Sequence, residues 1–332
     1  MKVDFLPSGG KFYKVNMHCH TTISDGKQTR EEVKALYQSL GYDAVCFTDH
    51  EVLLGHEDLC DENFVALHGY EVAIKQNLEG HTGYFQPVYH FNLIAKEQSK
   101  RMMPRFFLTN PSMAGNSAKW LESDGVYDPS DVIETTHYDV EWINGYLKAI
   151  SEAGFLISYN HPEWSLQNLS DYVGLEHLHA VEVINGDCGQ YFEHGIICYD
   201  QMLRAGKQLI AVAGDDNHTA KSCGLGWTMI KAEALTYEAL MAAYERGDCY
   251  VSEGPEFLEL FREDDELVVR TKGAERVLLR GEGRYRHLRK LENPTAIGEA
   301  RFSYHPEQFG RYFRVELIDG HGKKAFSRAY FI

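Results

Sequence analysis

The chain has 332 residues, 44% of them hydrophobic, enough for one large domain and a smaller one and too apolar for a disordered chain. Its net charge of −16 is unevenly spread. Residues 1–251 carry 18 Lys and Arg against 35 Asp and Glu, whereas residues 252–332 carry 15 against 14, and thirteen of the sixteen histidines lie in the acidic part. The acidic balance disfavours nucleic-acid polymers and anionic membranes as partners. It leaves room for a small phosphorylated substrate, because bound divalent cations reverse the local field. Seven scattered cysteines form no CxxC pair, and neither an apolar leader nor a bilayer-length run is read, so a cytoplasmic protein with reduced thiols is expected. Oligomerisation is left open.

In chain order, residues 14–20 read as a strand ending at His18-Cys19-His20. Two histidines two residues apart on a strand share a face, and Cys19 between them turns into the core. Asp25-Gly26 marks a turn, and Thr29 caps a helix to about Leu40, with Glu31 and Glu32 in its first turn. Residues 44–48 form a short strand ending at Asp49-His50. Residues 64–72 and 88–95 are strands carrying Glu71 and His90. A helix over 140–153 precedes a strand over 155–159 that ends at Asn160-His161-Pro162. A strand over 180–184, a helix over 199–205 and a strand over 209–213 lead to Asp215-Asp216-Asn217-His218, and a helix over 237–246 closes the series.

Such alternation predicts parallel βα units, and candidate ligands at the ends of so many strands favour barrel-like closure over an open sheet. After Gly254-Pro255 the runs at 256–260, 267–271, 276–280, 300–304 and 312–318 are short strands separated by turn residues, which predicts a small all-β sandwich. The expected organisation is an α/β barrel over 1–252 followed by the sandwich over 253–332. Residues 97–139 break the rhythm and read either as a lid over the barrel mouth, rich in Met102, Met103, Phe106, Phe107, Met113 and Trp120, or as an insertion packed outside.

Imidazole is the commonest neutral metal ligand, and a central carboxylate can bridge two ions. The recurrence of His, Asp and Glu at strand ends therefore points to a polynuclear metallohydrolase. His18-Cys19-His20-Thr21-Thr22-Ile23-Ser24-Asp25-Gly26 resembles the HxHxxxSDG motif of the polymerase and histidinol phosphatase (PHP) family. Thr48-Asp49-His50 resembles its TDH motif, Gly69-Tyr70-Glu71-Val72 its glutamate strand and His90-Phe91-Asn92-Leu93 its next histidine strand. Asn160-His161-Pro162 resembles its HP motif, and Gly214-Asp215-Asp216-Asn217-His218 its final GSDxH, with Asp215 where Ser is usual. The order is complete over about residues 14–250.

The resemblance implies a distorted (β/α)7 barrel holding two or three divalent ions (Zn, Mn or Fe). It assigns His18, His20, Glu71 and Asp216 to the first ion, Glu71, His90 and His161 to the second, and Asp25, His50 and His218 to the third. Some family members carry histidine at the place of Asp25, which puts the third site's strength and metal preference in play. His81 is the alternative to His90. Asp49 and Asp215 read as partners that orient ligands. His56, His68, His137, His177, His179 and His194 lack a motif and read as surface or structural residues.

The activity implied is hydrolysis of a small phosphate mono- or diester by metal-bound hydroxide, with His50, Asp25 or His218 handling the leaving-group proton. Among cations, Lys221, Arg101 and Lys96 are the candidates for binding substrate, with Arg105 and Lys119 behind them. The C-terminal strands, with Tyr312-Phe313-Arg314-Val315-Glu316-Leu317, resemble a small β-sandwich appended to some family members, some of which are linked to carbamate or amide-like esters. Hydrolysis of such esters by the same site is one rival, and a non-catalytic metal-binding module is another.

Overall fold

The computed structural model describes residues 2–76, 78, 85–108, 116–121, 125–192, 195–292 and 297–332. Its first part contains β1 (Lys2–Asp4), β2 (Lys11–Asn16), α1 (Arg30–Ser39), β3 (Ala44–Phe47), β4 (Val65–Lys75), β5 (Val88–Ala95), α2 (Ala118–Leu121) and α3 (Val140–Glu152). There follow β6 (Phe155–Tyr159), α4 (Leu169–Tyr172), β7 (Ala180–Asn185), α5 (Ile196–Arg204), β8 (Ile210–Gly214), β9 (Trp227–Ala232), α6 (Tyr237–Arg246) and β10 (Cys249–Ser252). Helix boundaries follow local chemistry. Thr29 and Glu32 form a reciprocal capping box at the start of α1, Asp139 caps α3 through the Trp142 N–H, and Gly247 ends α6 with φ 72°.

Strands β2 to β8 are neighbours in sequence order, with β9 and β10 beyond β2. The pairs β2/β3, β3/β4, β6/β7 and β7/β8 are parallel. β5 departs from the expected parallel pattern and runs antiparallel to both β4 and β6. The chain returns directly from β4 to β5, and an antiparallel neighbour needs no crossover helix. The reversal matters for the site: the start of β5, where His90 lies, comes to the edge at which its neighbours end. Past the assigned strands, the Asp216 N–H donates to the His18 carbonyl at 2.9 Å and the His20 N–H to the Asn217 carbonyl at 3.3 Å. The chain leaving β8 is thus hydrogen-bonded to the chain leaving β2.

One face of this sheet packs under α6, joining Val15, Leu67 and Val212 to Leu240 and Tyr244. Another apolar cluster joins Val72, Phe91 and Ile157 to Ile143 and Leu147 of α3. The expected helices of this part are present, so the fold is mixed α/β.

The C-terminal region is β-rich: β11 (Glu256–Glu263), β12 (Glu266–Lys272), β13 (Arg276–Gly281), β14 (Arg286–Lys290), β15 (Ile297–Ser303), α7 (Pro306–Phe309), β16 (Tyr312–Ile318), β17 (Lys324–Ser327) and β18 (Tyr330–Phe331). β1, β11, β12 and β15 make one four-stranded sheet. The N-terminal residues grouped by sequence with 1–252 therefore begin in this region, Lys2 pairing with Glu263. β14, β13, β16 and β17 are consecutive neighbours and join the larger sheet where β17 pairs with β10. Phe257, Leu260 and Phe302 from the first sheet and Val277, Phe313 and Val315 from the second share one core. Arg314, 1% exposed, links the region to α5 by a two-pronged bond to Asp200 at 2.8 and 2.9 Å, and also donates to Glu316 at 2.6 Å.

Candidate metal centre

All nine side chains singled out as ligands meet in one cluster, and seven of them, all but His18 and His20, line one cavity. Four overlapping groups have donor atoms within 4.8 Å of one another: His20-Asp25-His50-His218, His18-His161-Asp216, His18-His20-Glu71 and Glu71-His90-His161. Glu71 and Asp216, each nearly fully buried, stand at the centre. Glu71 Oε1 lies 3.0 Å from His90 Nδ1, 3.3 Å from His18 Nε2 and 3.4 Å from His161 Nε2. Its Oε2 lies 3.2 Å from His50 Nδ1 and 3.3 Å from His20 Nε2. Asp216 Oδ1 lies 3.1 Å from His20 Nε2 and 3.3 Å from His18 Nε2. His218 Nε2 approaches Asp25 Oδ2 at 3.4 Å, and His50 Nε2 lies 3.8 Å from the same oxygen.

Backbone constraint aims these groups. Asp216 and His161 hold φ of 52° and 25°, values that side-chain-bearing residues rarely take and that concentrate at functional sites. Gly26 lets the ligand loop fold back on itself, since a Cβ there would sit 2.6 Å from the His20 carbonyl carbon and oxygen. Asp49 ties the same loop by accepting from the Thr21 N–H and hydroxyl and from the Ser24 N–H and hydroxyl, at 2.7 to 3.1 Å. Asp215 accepts from the Gly224, Leu225 and Gly226 N–H groups and from the Tyr37 hydroxyl. It anchors the loop after His218 rather than touching a ligand side chain, and burial pushes its carboxyl up to about 6. Cys19, fully buried, packs with Val33, Tyr37 and Phe47 away from the cavity.

The hydrogen bonds also select tautomers. His18 Nδ1 lies 2.9 Å from Glu182 Oε1, an acceptor when ionised, so Nδ1 carries the proton and Nε2 presents a lone pair to the centre. His218 Nδ1 donates to the Asp216 carbonyl at 3.0 Å, again leaving the lone pair on Nε2, while the Ser165 hydroxyl, able to donate or accept, lies 3.2 Å from His161 Nδ1 and His161 Nε2 faces Glu71. Glu182 also accepts from the His161 N–H at 3.1 Å and from Asn185. Asn160 donates to Glu71 Oε1 at 2.9 Å. Glu182 was not singled out by sequence reasoning; its signal was a lone acid inside the apolar run Ala180-Val181-Glu182-Val183-Ile184.

The donor set fits metal ions. His18 Nε2 and His20 Nε2 face one another at 3.2 Å, and His20 Nδ1 and His90 Nε2 are buried without a hydrogen-bond partner. Separations near 3 Å are those of two nitrogens each about 2.0–2.1 Å from one ion. Electrostatics point the same way. Burial raises the cost of charge on Glu71 and Asp216, but the surrounding histidines outweigh it and hold both carboxyls well below the usual range. Burial alone would lower His20, yet Asp216 and Glu71 raise it to about 10, while burial and the neighbouring His20 push His50 down to about 3.

The cations proposed to bind substrate lie elsewhere. Lys96 pairs with Glu245 at 2.6 Å, Arg101 pairs with Glu57, and Lys221 is exposed outside the cavity lining. Arg105 pairs with Asp131 at 3.4 Å, and Lys119 bonds Asn116 at 3.1 Å. Lys27, not singled out from sequence, places its ammonium 3.2 Å from the Asp25 carbonyl. His56 and His68 are buried and His179 half-buried away from the centre, and His137 and His177 lie outside it. His81, His194 and Met113 fall outside the described residues. Within 97–139, Met103 and Phe107 enter the core, while the Asn116 N–H reaches the Ser24 carbonyl and the Ser117 hydroxyl the His50 carbonyl at 2.5 Å. That segment therefore buttresses two ligand loops.

Residues 16–217 match the model of the PHP domain, and the chain belongs to that family. No curated protein matches it in sequence. Among solved structures, it is similar to a two-domain protein from Bacteroides vulgatus containing a PHP-like metal-dependent phosphoesterase, at 15% identity and a TM-score of 0.46, over 99% of this chain and 97% of that one. It is also similar to a protein described as a metal-dependent phosphoesterase from Bifidobacterium adolescentis, at 18% identity and a TM-score of 0.38, over 64% and 89% of the two chains. An amidohydrolase from Chromobacterium violaceum, solved with sulfate and no metal, matches at 16% identity and a TM-score of 0.35, over 62% and 87%. No helix among the described residues is long and apolar enough to cross a membrane.

Proposed function

We propose that the chain is a metal-dependent phosphoesterase acting on a small phosphate mono- or diester. The observation that carries this reading is the sharing of two buried carboxylates, Glu71 and Asp216, among imidazole donors at 3.0 to 3.8 Å. His18, His20, Glu71 and Asp216 would hold one divalent ion, His90 and His161 with Glu71 a second, and Asp25, His50 and His218 a third. Zn, Mn or Fe would suit these donors. Such ions supply a water of near-neutral pKa and neutralise charge on phosphoryl oxygens. The protein's own part is to fix tautomers through Glu182 and the Asp216 carbonyl, to orient His161 through Ser165, and to hold the loops through Asp49 and Asp215. Asp25 and His218, about a third exposed, face the open side, where a leaving-group proton would be taken up or given.

The order of β2 to β8 and the bonds between the chains leaving β8 and β2 favour a distorted barrel with β5 reversed. The two facing C-terminal sheets favour a β-sandwich over 253–332, joined by β1. A cytoplasmic site of action fits the seven free cysteines.

One observation keeps a rival open: among the described residues, which include every Lys and Arg of the chain, none of these cations lines the cavity. A carbamate or amide-like ester would not require one. A phosphate-release screen with Mn-, Zn- and Fe-loaded protein, run beside carboxyl and carbamate esters, tests the choice. Phosphate release by the wild type and none by Glu71→Ala is the expected result. Turnover of carbon esters alone would favour the rival. A Glu71→Ala protein with full metal content and wild-type turnover would overturn the site.

A further inference from the structure

Trp164 is 38% exposed, yet it is firmly placed. It stands on the turn that follows the ligand His161. Within that turn the Ser165 N–H bonds the His161 carbonyl, the Leu166 N–H the Glu163 carbonyl and the Gln167 N–H the Pro162 carbonyl, each at 3.1 Å. The Ser165 carbonyl in turn accepts from the Val88 N–H at the start of β5, at 3.2 Å. The indole packs against two ligand rings, its centroid 5.0 Å from that of His161 and 5.4 Å from that of His90. It lines the metal cavity itself, and with Phe192, 40% exposed, it lines the shallow hollow beside it.

The cavity measures about 140 Å³, below the roughly 300–1,000 Å³ of pockets that enclose a whole organic ligand. Only the reacting end of a substrate fits inside. The remainder must lie at the rim, where, among the described residues, the side chains that are not candidate ligands include Trp164, Asp187 and Cys188, with Glu163 and Phe192 in the adjoining hollow. Among the described residues this rim offers the Trp164 indole against the ligand rings, Phe192 farther out in the hollow, and the acids Asp187 and Glu163, and no Lys or Arg lines it.

We infer that Trp164 is a specificity-determining residue: the group esterified to the reacting centre is a planar aromatic or heteroaromatic ring that stacks on the indole and carries no second negative charge. Stacking on an aromatic face is sequence- and substituent-tolerant but needs a flat partner. The rim acids Asp187 and Glu163 repel a further phosphate or carboxylate. This inference rests on the phosphoesterase reading for the chemistry of the reacting end, but not for the ring.

The test is calorimetric binding of phenylphosphonate and methylphosphonate to the Mn-loaded protein, with benzoate and acetate as a pair lacking phosphorus. The wild type is expected to bind each aryl probe about tenfold more tightly than its methyl counterpart. Trp164→Ala is expected to bring that preference, read as the aryl-to-methyl affinity ratio, within about twofold, and Trp164→Phe to keep most of it. If Trp164→Ala loses methylphosphonate as well, Trp164→Leu, which keeps bulk without the ring, makes the same comparison. An aryl preference undiminished in the variants, or no preference in the wild type, overturns the inference. If neither phosphonate binds while benzoate is still preferred through Trp164, the inference stands and the phosphoesterase reading falls.

Discussion

Both regions of this chain rest on apolar cores, but the first also buries a dense cluster of ionisable groups. The edge where β2, β3, β6, β7 and β8 end is filled with buried histidines and carboxylates that only partly satisfy one another, whereas the C-terminal sheets enclose an apolar core around Phe257, Phe302 and Phe313. Buried charge is costly unless paired or bound to metal. The first region therefore gives up part of the stability of its own apolar cores to prearrange donors, a cost the apolar core around Phe313 does not carry. The buried Arg314 bridge to Asp200 on α5 couples the two.

That contrast can be broken from either side. Phe313→Ala should cost about 3–5 kcal/mol of stability, read by chemical denaturation, while metal content of the folded fraction stays at the wild-type value. Loss of metal without loss of stability would contradict the division. Glu182→Ala removes none of the nine candidate donors, but it frees His18 Nδ1, the His161 N–H and Asn185. Metal affinity of the folded variant should fall by roughly 10–100-fold. An unchanged affinity measured by chelator competition would remove Glu182 from the account.

A smaller effect concerns His68, fully buried on β4 against Tyr237, with neither ring nitrogen partnered. Burial lowers its pKa from 6.5 to about 4. Between those values the unfolded chain binds a proton that the folded one does not, so stability is present at neutral pH and lost as pH falls. The loss attributable to His68 is about 2 kcal/mol at pH 5 relative to pH 8. His68→Phe should flatten the decline in thermal midpoint between those pH values, and equal slopes for variant and wild type would count against it. Smallest of all, Lys221→Ala should change kcat/KM by less than about twofold, because Lys221 lies outside the cavity lining; a tenfold loss would return it to the substrate site.

The legible part of the site was chemical and the illegible part geometric. His18, His20, His50, Glu71, His161, Asp216 and His218 stood out because ionisable groups at the ends of apolar runs need partners. His90 was harder to place, since it sits at the start of its strand; only the reversal of β5 brings it to the common edge, and an apolar run carries no sign of its direction. Glu182 was hidden within a strand that reads as plain core. The three residues of β1 are too short a run to reveal their pairing with β11. Trp164 gave no ligand signal at all, because an aromatic beside a proline turn reads equally well as packing.

The central claim is that Glu71 and Asp216 gather several ions into one centre. Plasma mass spectrometry of Mn- or Zn-reconstituted protein after desalting measures this directly, with Glu71→Ala in parallel. The account predicts two to three ions per wild-type chain and less than one in the variant, with both proteins folded. Fewer than one ion per wild-type chain, or equal stoichiometry in the two proteins, would contradict it.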